Sequence, residues 1–293
     1  MGLRSSILVF VLLAAASGSA LAQTSTEALI SPPQESIVGQ NADSQNAAQN
    51  PAASNGALAA AVALTPVAAL TTATPVVVEL FTSEGCASCP PADANIGRLM
   101  HQRAILALSY HVDYWDYIGW RDRNADPAFT ERQHDYDAAL GRSMVYTPQV
   151  VIAGRSDSLG TDPETLTVLL ADHQEAAQMT PIRIVRDASG KALLDLPGAN
   201  LPEAATIWLL TYRHVVETQV DGGENAGKKL TSYNVVRSLK KLGHWSGQPA
   251  TLPLDLDPPT AGEAKPDAVA VIANLKDHGP VVAATAVSFK DLK

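Results

Sequence analysis

The chain has 293 residues, of which 46% are hydrophobic and 17% charged, so it holds enough apolar material for a folded core. Its formal net charge of −9 argues against a surface for nucleic acid or for an anionic membrane. Two cysteines exclude a disulfide-dense scaffold and a four-cysteine zinc site. They are Cys86 and Cys89, with only two residues between them.

Residues 1–22 have the pattern of a secretory signal peptide. Arg4 gives the positive charge, an apolar run extends from Ile7 to Ala16, and Ala20 and Ala22 fit a cleavage site. The alternative is an uncleaved anchor, but the run is shorter than the ~20 residues of a membrane span. We therefore expect an exported protein, periplasmic or secreted, with no stable membrane insertion after cleavage.

Two changes of composition predict the domain organisation. Residues 23–74 are rich in Ala, Ser, Asn, Gln, Thr and Pro and lack Lys and Arg, which indicates a flexible low-complexity linker. Residues 75–180 carry an excess of acidic side chains, whereas residues 181–293 are nearly balanced in charge. This shift predicts a domain boundary at residue 180.

The two cysteines lie where a strand turns into a helix. The apolar run Val76–Phe81 predicts a buried strand, and Pro90 follows the cysteines at the start of an amphipathic helix. Because the first N–H groups of a helix favour negative charge, a Cys86 thiolate would be stabilised there. The thiolate is the nucleophile of disulfide exchange, and Cys89 is spaced to attack the resulting mixed disulfide.

Three interpretations of this pair remain open. A permanent structural disulfide across so short a loop would add little stability. A metal site would need a histidine as a further ligand. Redox chemistry agrees best with the strand-to-helix context.

The elements that follow resemble the thioredoxin fold. We expect a strand at Ile105–Tyr110, a helix at Pro127–Leu140, a strand at Gln149–Ala153 and a helix from Pro163 to about Met179. With the CxxC helix and the dipeptide Thr147-Pro148 before the third strand, this order resembles a thioredoxin-like α/β domain over residues 75–180. The resemblance implies that Pro148 is cis, lies against the cysteines and presents backbone to a substrate, with Thr147 beside it.

The sequence also departs from the usual thioredoxin pattern. Gly85 stands where a tryptophan is common, and Ala87-Ser88 replaces the usual dipeptide between the cysteines. Because this dipeptide tunes thiolate stability, the direction of redox chemistry does not carry over from the family. Ser88 is placed to donate a hydrogen bond to the thiolate, and Glu84 opposes the thiolate by like charge.

A narrower resemblance covers most of residues 75–293. The runs 79–86 (ELFTSEGC), 111–116 (HVDYWD), 145–149 (VYTPQ) and 223–227 (GENAG) are similar to a family of secreted thioredoxin-like proteins. That family is catalogued as a domain of unknown function, so the resemblance implies no particular reaction.

The segment after the second strand is dense in polar and aromatic side chains. The functional interpretation makes His111 and Asp113 a proton relay for the thiols, with Trp115 and Trp120 lining a substrate groove. The alternative places the aromatics in a satellite core and Asp113 at a turn or cap. His111 is also a natural third ligand, with both cysteines, for a soft metal such as Cu(I).

Residues 181–293 read as short strands separated by turns, which predicts a mainly antiparallel β-sandwich-like domain. Strands are expected at 182–185, 192–196, 206–212, 215–220, 268–272 and 281–288. Residues 234–242 are either an edge strand or a helical turn. The glycine-rich run 221–227 lacks phosphate-loop spacing and is interpreted as a long hairpin or a partner-binding loop.

The hypothesis favoured by the sequence is an exported thiol–disulfide oxidoreductase that acts on protein thiols or disulfides without a cofactor. Its catalytic residues would be Cys86, Cys89, Pro148 and His111, and its substrate-binding residues Thr147, Trp115, Trp120 and Asp113. The alternatives are a periplasmic metal carrier using Cys86, Cys89 and His111, and a non-catalytic interaction protein.

Overall fold

A computed structural model describes residues 64–176, 179–256, 264–276 and 278–292, all within one compact unit. The expected signal peptide and most of the expected linker lie outside the described residues. The helices are α1 (Pro90–Leu99), α2 (Pro127–Ala139) and α3 (Pro163–Ala176). The strands are β1 (Thr65–Pro66), β2 (Val76–Thr82), β3 (Ile105–His111), β4 (Gln149–Ile152), β5 (Ser156–Ser158), β6 (Arg183–Arg186), β7 (Ala192–Leu196), β8 (Ala205–Gln219), β9 (Lys229–Trp245), β10 (Ala250–Pro253), β11 (Ala268–Leu275) and β12 (Val281–Ser288).

The architecture is α/β, with few helices and two mixed or antiparallel sheets. The larger sheet has eight strands in the order β12-β11-β8-β9-β3-β2-β4-β5. Within it β3 runs parallel to β2 and to β9, and the remaining neighbours are antiparallel. The smaller sheet is antiparallel, in the order β1-β6-β7-β10.

The predicted elements before residue 180 are present. Strand β2 is buried along its whole length, as expected of a strand covered on both faces. Asp126 begins α2 by accepting a hydrogen bond from the backbone of Ala128, and Pro127 takes the first helical position. Thr82 at the end of β2 is in register with His111 at the end of β3, so the loops after both strands leave the same sheet edge.

The structure does not separate the chain into two sheets at residue 180. Four strands from the second half extend the sheet that begins with β2, and Val235 of β9 pairs with Ser109 of β3. One buried core combines Phe81 and Tyr110 with Tyr212 of β8. The change in charge at residue 180 therefore does not mark a boundary between two cores, because this core includes residues from both sides of it.

Two strand predictions in the second half were wrong. Residues 234–242 are neither an edge strand nor a helical turn, because they belong to β9 in the middle of the large sheet. The runs 206–212 and 215–220 are joined in the single 15-residue strand β8. Both strands are long enough to leave the core, and their outer parts alternate between exposed and half-buried residues, which masks the pattern of an interior strand.

The last part of the expected linker also belongs to the fold. Strand β1 pairs with β6, and Ala69 forms a bridge with Val287 of β12. Leu70 packs against the core of the large sheet, while Val67 packs against the core between the two sheets. These few apolar contacts anchor residues 65–70, so the linker does not extend to residue 74.

Candidate disulfide site

The two cysteines form a disulfide at the start of α1. Cys89 is the N-cap residue of α1, and the backbone N–H groups of Ala92 and Asp93 donate to its carbonyl at 2.9 and 3.2 Å. Both cysteines are fully buried, although Ala87 and Ser88 between them are exposed. The Ser88 hydroxyl lies 3.4 Å from the Cys86 sulfur, as expected for a donor to a thiolate at that position.

One of the predicted tryptophans links the predicted Thr147-Pro148 dipeptide to the residue before Cys86. The Thr147–Pro148 bond is cis, which confirms that prediction, and it directly precedes β4. The indole N–H of Trp115 donates to the Thr147 hydroxyl at 2.7 Å. A β-carbon added at Gly85 would come within 3.2 Å of the Trp115 β-carbon, so glycine permits this close approach. Trp115 therefore bridges the residue before Cys86 and the residue before Pro148.

A cluster of buried titratable groups lies at the same edge of the sheet. His111 Nδ1 is 2.7 Å from Asp122 Oδ2. The side chains are buried, with 1% of His111 and 0% of Asp122 exposed. Glu84 accepts hydrogen bonds from the Trp120 indole N–H at 2.9 Å and from the amide of Asn124 at 3.0 Å. The predicted residues His111 and Trp120 thus belong to one hydrogen-bond network.

Asp93 joins this cluster from α1, one helical turn after Cys89. Its Oδ2 accepts a hydrogen bond from the Thr82 hydroxyl at 3.1 Å, and Thr82 is the register partner of His111. Among the described residues, no group bonds to Asp93 Oδ1 or to His111 Nε2, although both atoms are buried. Unpaired buried polar atoms are uncommon in folded proteins, and a catalytic or redox role is one explanation for them.

Burial and mutual charge set the protonation of these groups. Burial raises the pKa of Asp93 to about 7, despite the opposing charge of His111. Burial alone would lower the pKa of His111, but the charge and hydrogen bond of Asp122 raise it to about 9. Burial and the charge of Asp122 raise the pKa of Glu84. Near neutral pH His111 is therefore cationic, and Asp93 is close to half protonated.

The metal-binding capacity of this cluster is limited. Oxygen and nitrogen atoms of Glu84, His111 and Asp122 lie within 4.8 Å of one another, the spacing of a possible metal site. Asp122 already accepts hydrogen bonds from the backbone of Glu84 and Asn124 as well as facing His111. Both carboxylates already accept hydrogen bonds from N–H groups. The cluster is therefore better suited to exchanging protons than to binding a metal cation. Both cysteines of the alternative ligand set are held in the disulfide.

Comparison with known proteins places the chain in a family. The family model described as "Protein of unknown function (DUF1223)" matches residues 77–274. The chain belongs to the DUF1223 family. This confirms the predicted resemblance to a family catalogued as a domain of unknown function.

The chain is also similar to a solved structure. The DUF1223 chain is similar to an X-ray crystal structure of a protein from Agrobacterium tumefaciens, with 32% sequence identity and a TM-score of 0.61. The alignment covers 73% of this chain and 94% of that one. No curated protein matches the chain. Among the described residues of the DUF1223 protein, no helix is long and apolar enough to cross a membrane.

One predicted site residue of the DUF1223 protein contacts a different part of the fold. Asp113 accepts a hydrogen bond from the Thr130 hydroxyl at 2.6 Å, and its own N–H donates to the same hydroxyl at 3.3 Å. Since Thr130 belongs to α2, these bonds fasten the loop after β3 to that helix. The hydrogen bonds of Asp113 thus agree with the alternative turn or cap role, and the network gives His111 a different acidic partner, Asp122.

Besides Asp122, sequence reasoning missed Asp93 and Asn225. The position of Asp93 in the sequence does indicate burial, since it stands four positions after Cys89 on the helix face that Ala92 and Ile96 bury. Asn225 lies far away in the sequence, but its side-chain amide donates to the carbonyl groups of Glu84 and Cys86, each at 2.9 Å. No rule of sequence spacing connects the turn of the β8–β9 hairpin, where Asn225 lies, with the start of α1.

Proposed function

We propose that this protein is an exported thiol–disulfide oxidoreductase that exchanges the Cys86–Cys89 disulfide with thiols of partner proteins. The observation that carries the proposal is the disulfide at the N-terminus of α1, with Asp93 one turn beyond it in a buried acid–histidine cluster. A purely structural disulfide would not call for buried carboxylates next to it, because burying them costs free energy. Perturbed titratable groups beside a reactive pair are typical of functional sites.

The order of elements supports a thioredoxin-like unit as the scaffold. The strands β3, β2, β4 and β5 are neighbours in that order, with β2 parallel to β3 and antiparallel to β4. Helix α1 connects the parallel pair, and Thr147-Pro148 precedes β4 at the same sheet edge. This is the arrangement implied by the sequence resemblance. In this protein, the second half extends the unit at the outer edge of β3.

The proposed reaction is a two-step exchange. A partner thiolate attacks the Cys86 sulfur, which breaks the Cys86–Cys89 bond and forms a mixed disulfide, and Cys89 leaves as a thiolate. A second thiolate of the partner then attacks the partner sulfur of this mixed disulfide and releases Cys86. The partner is oxidised by two electrons to a disulfide, and the cysteine pair is reduced by two. The reverse reaction follows the same steps backwards.

Asp93 and His111 are placed to handle the proton of the leaving thiolate. Cys89 is buried, and a thiolate there must take up a proton or remain uncompensated in a poorly solvated site. The pKa of Asp93, about 7, permits it to give a proton to Cys89 and to recover it in the reverse step. His111 is the positioning residue, because its positive charge limits the rise of the Asp93 pKa.

Trapping of mixed disulfides tests the proposal. In a Cys89→Ser variant the resolving sulfur is missing, so partner proteins should remain attached to Cys86 and be released by reductant. The Cys86→Ser variant, expressed in the same exported compartment, is the matched control and should trap fewer partners. The absence of reductant-sensitive adducts from both variants would favour the hypothesis of a non-catalytic interaction protein.

The thiol pKa provides a second test. The rate of alkylation of the reduced protein should report a Cys86 pKa below the ordinary ~8.5 of a free thiol, since it lies at a helix N-terminus. A value at or above the ordinary one contradicts the assignment of Cys86 as the nucleophile.

A further inference from the structure

The glycine-rich loop between β8 and β9 lies against residues 84–89, which contain both cysteines and which we call the cysteine turn. We call residues 221–227 the glycine loop; a short 3-10 turn, Gly223–Asn225, lies at its centre. The Asn225 side chain is fully buried, and its amide nitrogen donates to the carbonyl groups of both Glu84 and Cys86. Its amide oxygen accepts a hydrogen bond from Lys228 at 2.9 Å, which holds the amide in this orientation.

Further contacts of the glycine loop reach both sides of the disulfide. The backbone N–H of Ala87, between the cysteines, donates to Glu224 Oε2 at 3.2 Å. A β-carbon at Gly222 would lie 2.4 Å from the carbonyl oxygen of Gly119, in the loop after β3. Gly223 has a φ of +67°, and a β-carbon added there would lie 3.3 Å from the Trp120 β-carbon. The two glycines therefore let the glycine loop fit closely beside the cysteine turn.

The burial of Cys86 requires a neighbouring element to move before a partner thiolate can attack. A partner thiolate must reach the sulfur itself, but Cys86 has no exposed surface. The cysteine turn is continuous with α1, whose first backbone hydrogen bonds fix it. The glycine loop is attached to the cysteine turn through the side chains of Asn225 and Glu224. Because these side-chain hydrogen bonds hold it, the glycine loop can separate from the cysteine turn without unwinding a helix.

We propose that the glycine loop is a cover that determines which thiols reach Cys86, with Asn225 as the positioning residue that keeps it closed. This inference rests on the proposed function and names the kind of partner that fits. The Asn225 amide occupies two backbone carbonyl groups, those of Glu84 and Cys86. An extended polypeptide segment can replace that amide with its own backbone N–H groups, whereas a small thiol cannot. The cover thus favours polypeptide thiols over small-molecule thiols.

The experiment compares two reductants of the same disulfide. The rate of Cys86–Cys89 reduction is measured with dithiothreitol and with a reduced unstructured peptide that carries two cysteines, each over a range of concentrations. Asn225→Ala removes both hydrogen bonds from this side chain to the cysteine turn, so we expect the dithiothreitol rate to rise on the order of thirtyfold. The peptide rate should change much less, so the ratio of peptide to dithiothreitol rates should fall by a similar factor.

Two further variants and a control make the test independent of one substitution. Gly222→Ala should push the glycine loop away from Gly119 and change the ratio in the same direction. Glu224→Gln, which keeps the side-chain shape, should produce a smaller change in that direction. Lys229→Ala is the matched control, because it only breaks an exposed ion pair with Glu217 in the same hairpin. It should leave both rates unchanged.

The outcomes distinguish the cover from the proposed function. Equal dithiothreitol rates in the wild-type protein and in all folded variants of Asn225, Gly222 and Glu224 overturn the cover. A rise of both rates by the same factor would overturn the selectivity, because the loop would then be a nonspecific barrier. A failure of the proposed function has another signature: dithiothreitol reduces every variant, but the peptide reacts with none, and Cys89→Ser traps no partner. Thermal unfolding of each variant establishes that it is folded, and if Asn225→Ala is not, Gly222→Ala and Glu224→Gln decide.

Discussion

Gly97 of α1 lies directly against the aromatic ring of Tyr233 in β9. A β-carbon added at Gly97 would come within 2.7 Å of Tyr233 Cε2, closer than real contacts allow. The helix that begins at the disulfide therefore rests, through a residue without a side chain, on a strand of the second half. This contact ties the position of the cysteines to β9.

Gly97→Ala should consequently destabilise the protein, although alanine is the better helix former. Overpacking costs about 1–3 kcal/mol, and the gain in helix propensity of about 1 kcal/mol offsets part of it. In a Tyr233→Ala background the clash is absent, so the same substitution should become stabilising. Urea unfolding of the four proteins measures the sign in each background. A destabilisation that persists without the Tyr233 ring would contradict this account.

A fragment of residues 64–180 should not fold on its own. Removing the second half exposes the edge of β3 and takes Tyr212, Val236 and Ala270 out of the core that contains Phe81 and Tyr110. We expect no cooperative thermal transition in circular dichroism, whereas the chain 64–293 should show one. Cooperative unfolding of the fragment with native-like near-ultraviolet signal would restore the boundary at residue 180.

Local patterns predicted the elements of the first half and four of the six strands expected in the second half, but they did not predict how the second half joins the first. The strand before the cysteines, the proline-initiated helices and the X-Pro dipeptide depend on neighbouring residues, which sequence spacing records. The placement of β9 beside β3 depends on a contact between Ser109 and Val235, more than a hundred residues apart. The outer half of β9 is also solvated, so its average pattern resembles that of an edge strand.

The site was predictable in part. Polar residues within apolar patterns, such as Glu79 in β2 and Asp93 in α1, mark buried charges that the fold must satisfy. His111 was found because it ends a strand at the same sheet edge as the cysteines. Its acidic partner was assigned to Asp113 on proximity in sequence, whereas the loop after β3 folds back and brings Asp122 to it. Loop geometry of this kind does not follow from spacing.

Asp93→Asn should make the protein more stable at alkaline pH and slower in exchange. The folded pKa of Asp93, about 7, lies above its unfolded value, so stability present at pH 4 is lost as the pH rises to 7. The difference between the folded and unfolded pKa values lowers the free energy of unfolding at pH 8 by at most about 4 kcal/mol. Urea unfolding from pH 4 to 8 should give a flatter profile for Asp93→Asn, while the exposed Asp172→Asn should follow the wild-type profile. A profile of Asp93→Asn as steep as the wild type contradicts the burial of this charge.

The His111–Asp122 pair predicts a loss of stability at higher pH. The folded pKa of His111, about 9, lies above its unfolded value, so the contribution is full below pH ~6.5 and disappears through pH 9. This contribution to the free energy of unfolding is about 3 kcal/mol. Asp122→Asn removes the largest of the charges that raise this pKa, so the pKa of His111 should fall in the variant. Titration of the His111 imidazole by NMR measures this directly, and an unchanged midpoint would contradict the pairing.

Glu79 of β2 and Arg132 of α2 form a buried ion pair that fastens the helix to the sheet. The Arg132 Nε lies 2.8 Å from Glu79 Oε1, and each side chain is only 1% exposed. The Tyr136 hydroxyl donates to the same carboxylate, and the guanidinium lies 5.0 Å from the centre of the Tyr136 ring. Burial would raise the pKa of Glu79, but the charge and hydrogen bonds of Arg132 hold it below its ordinary value.

Arg132→Met should therefore destabilise the protein by about 3–5 kcal/mol, because it leaves Glu79 charged and unpaired in the core. The double variant Glu79→Gln/Arg132→Met removes both charges and should recover much of this loss. Lys229→Met is the matched control: Lys229 is 61% exposed and Glu217 is 54% exposed in their ion pair, so the change should cost much less. Urea unfolding at pH 7 compares the three. If Arg132→Met costs no more than Lys229→Met, or if the double variant is the least stable, the unpaired carboxylate is not the cause.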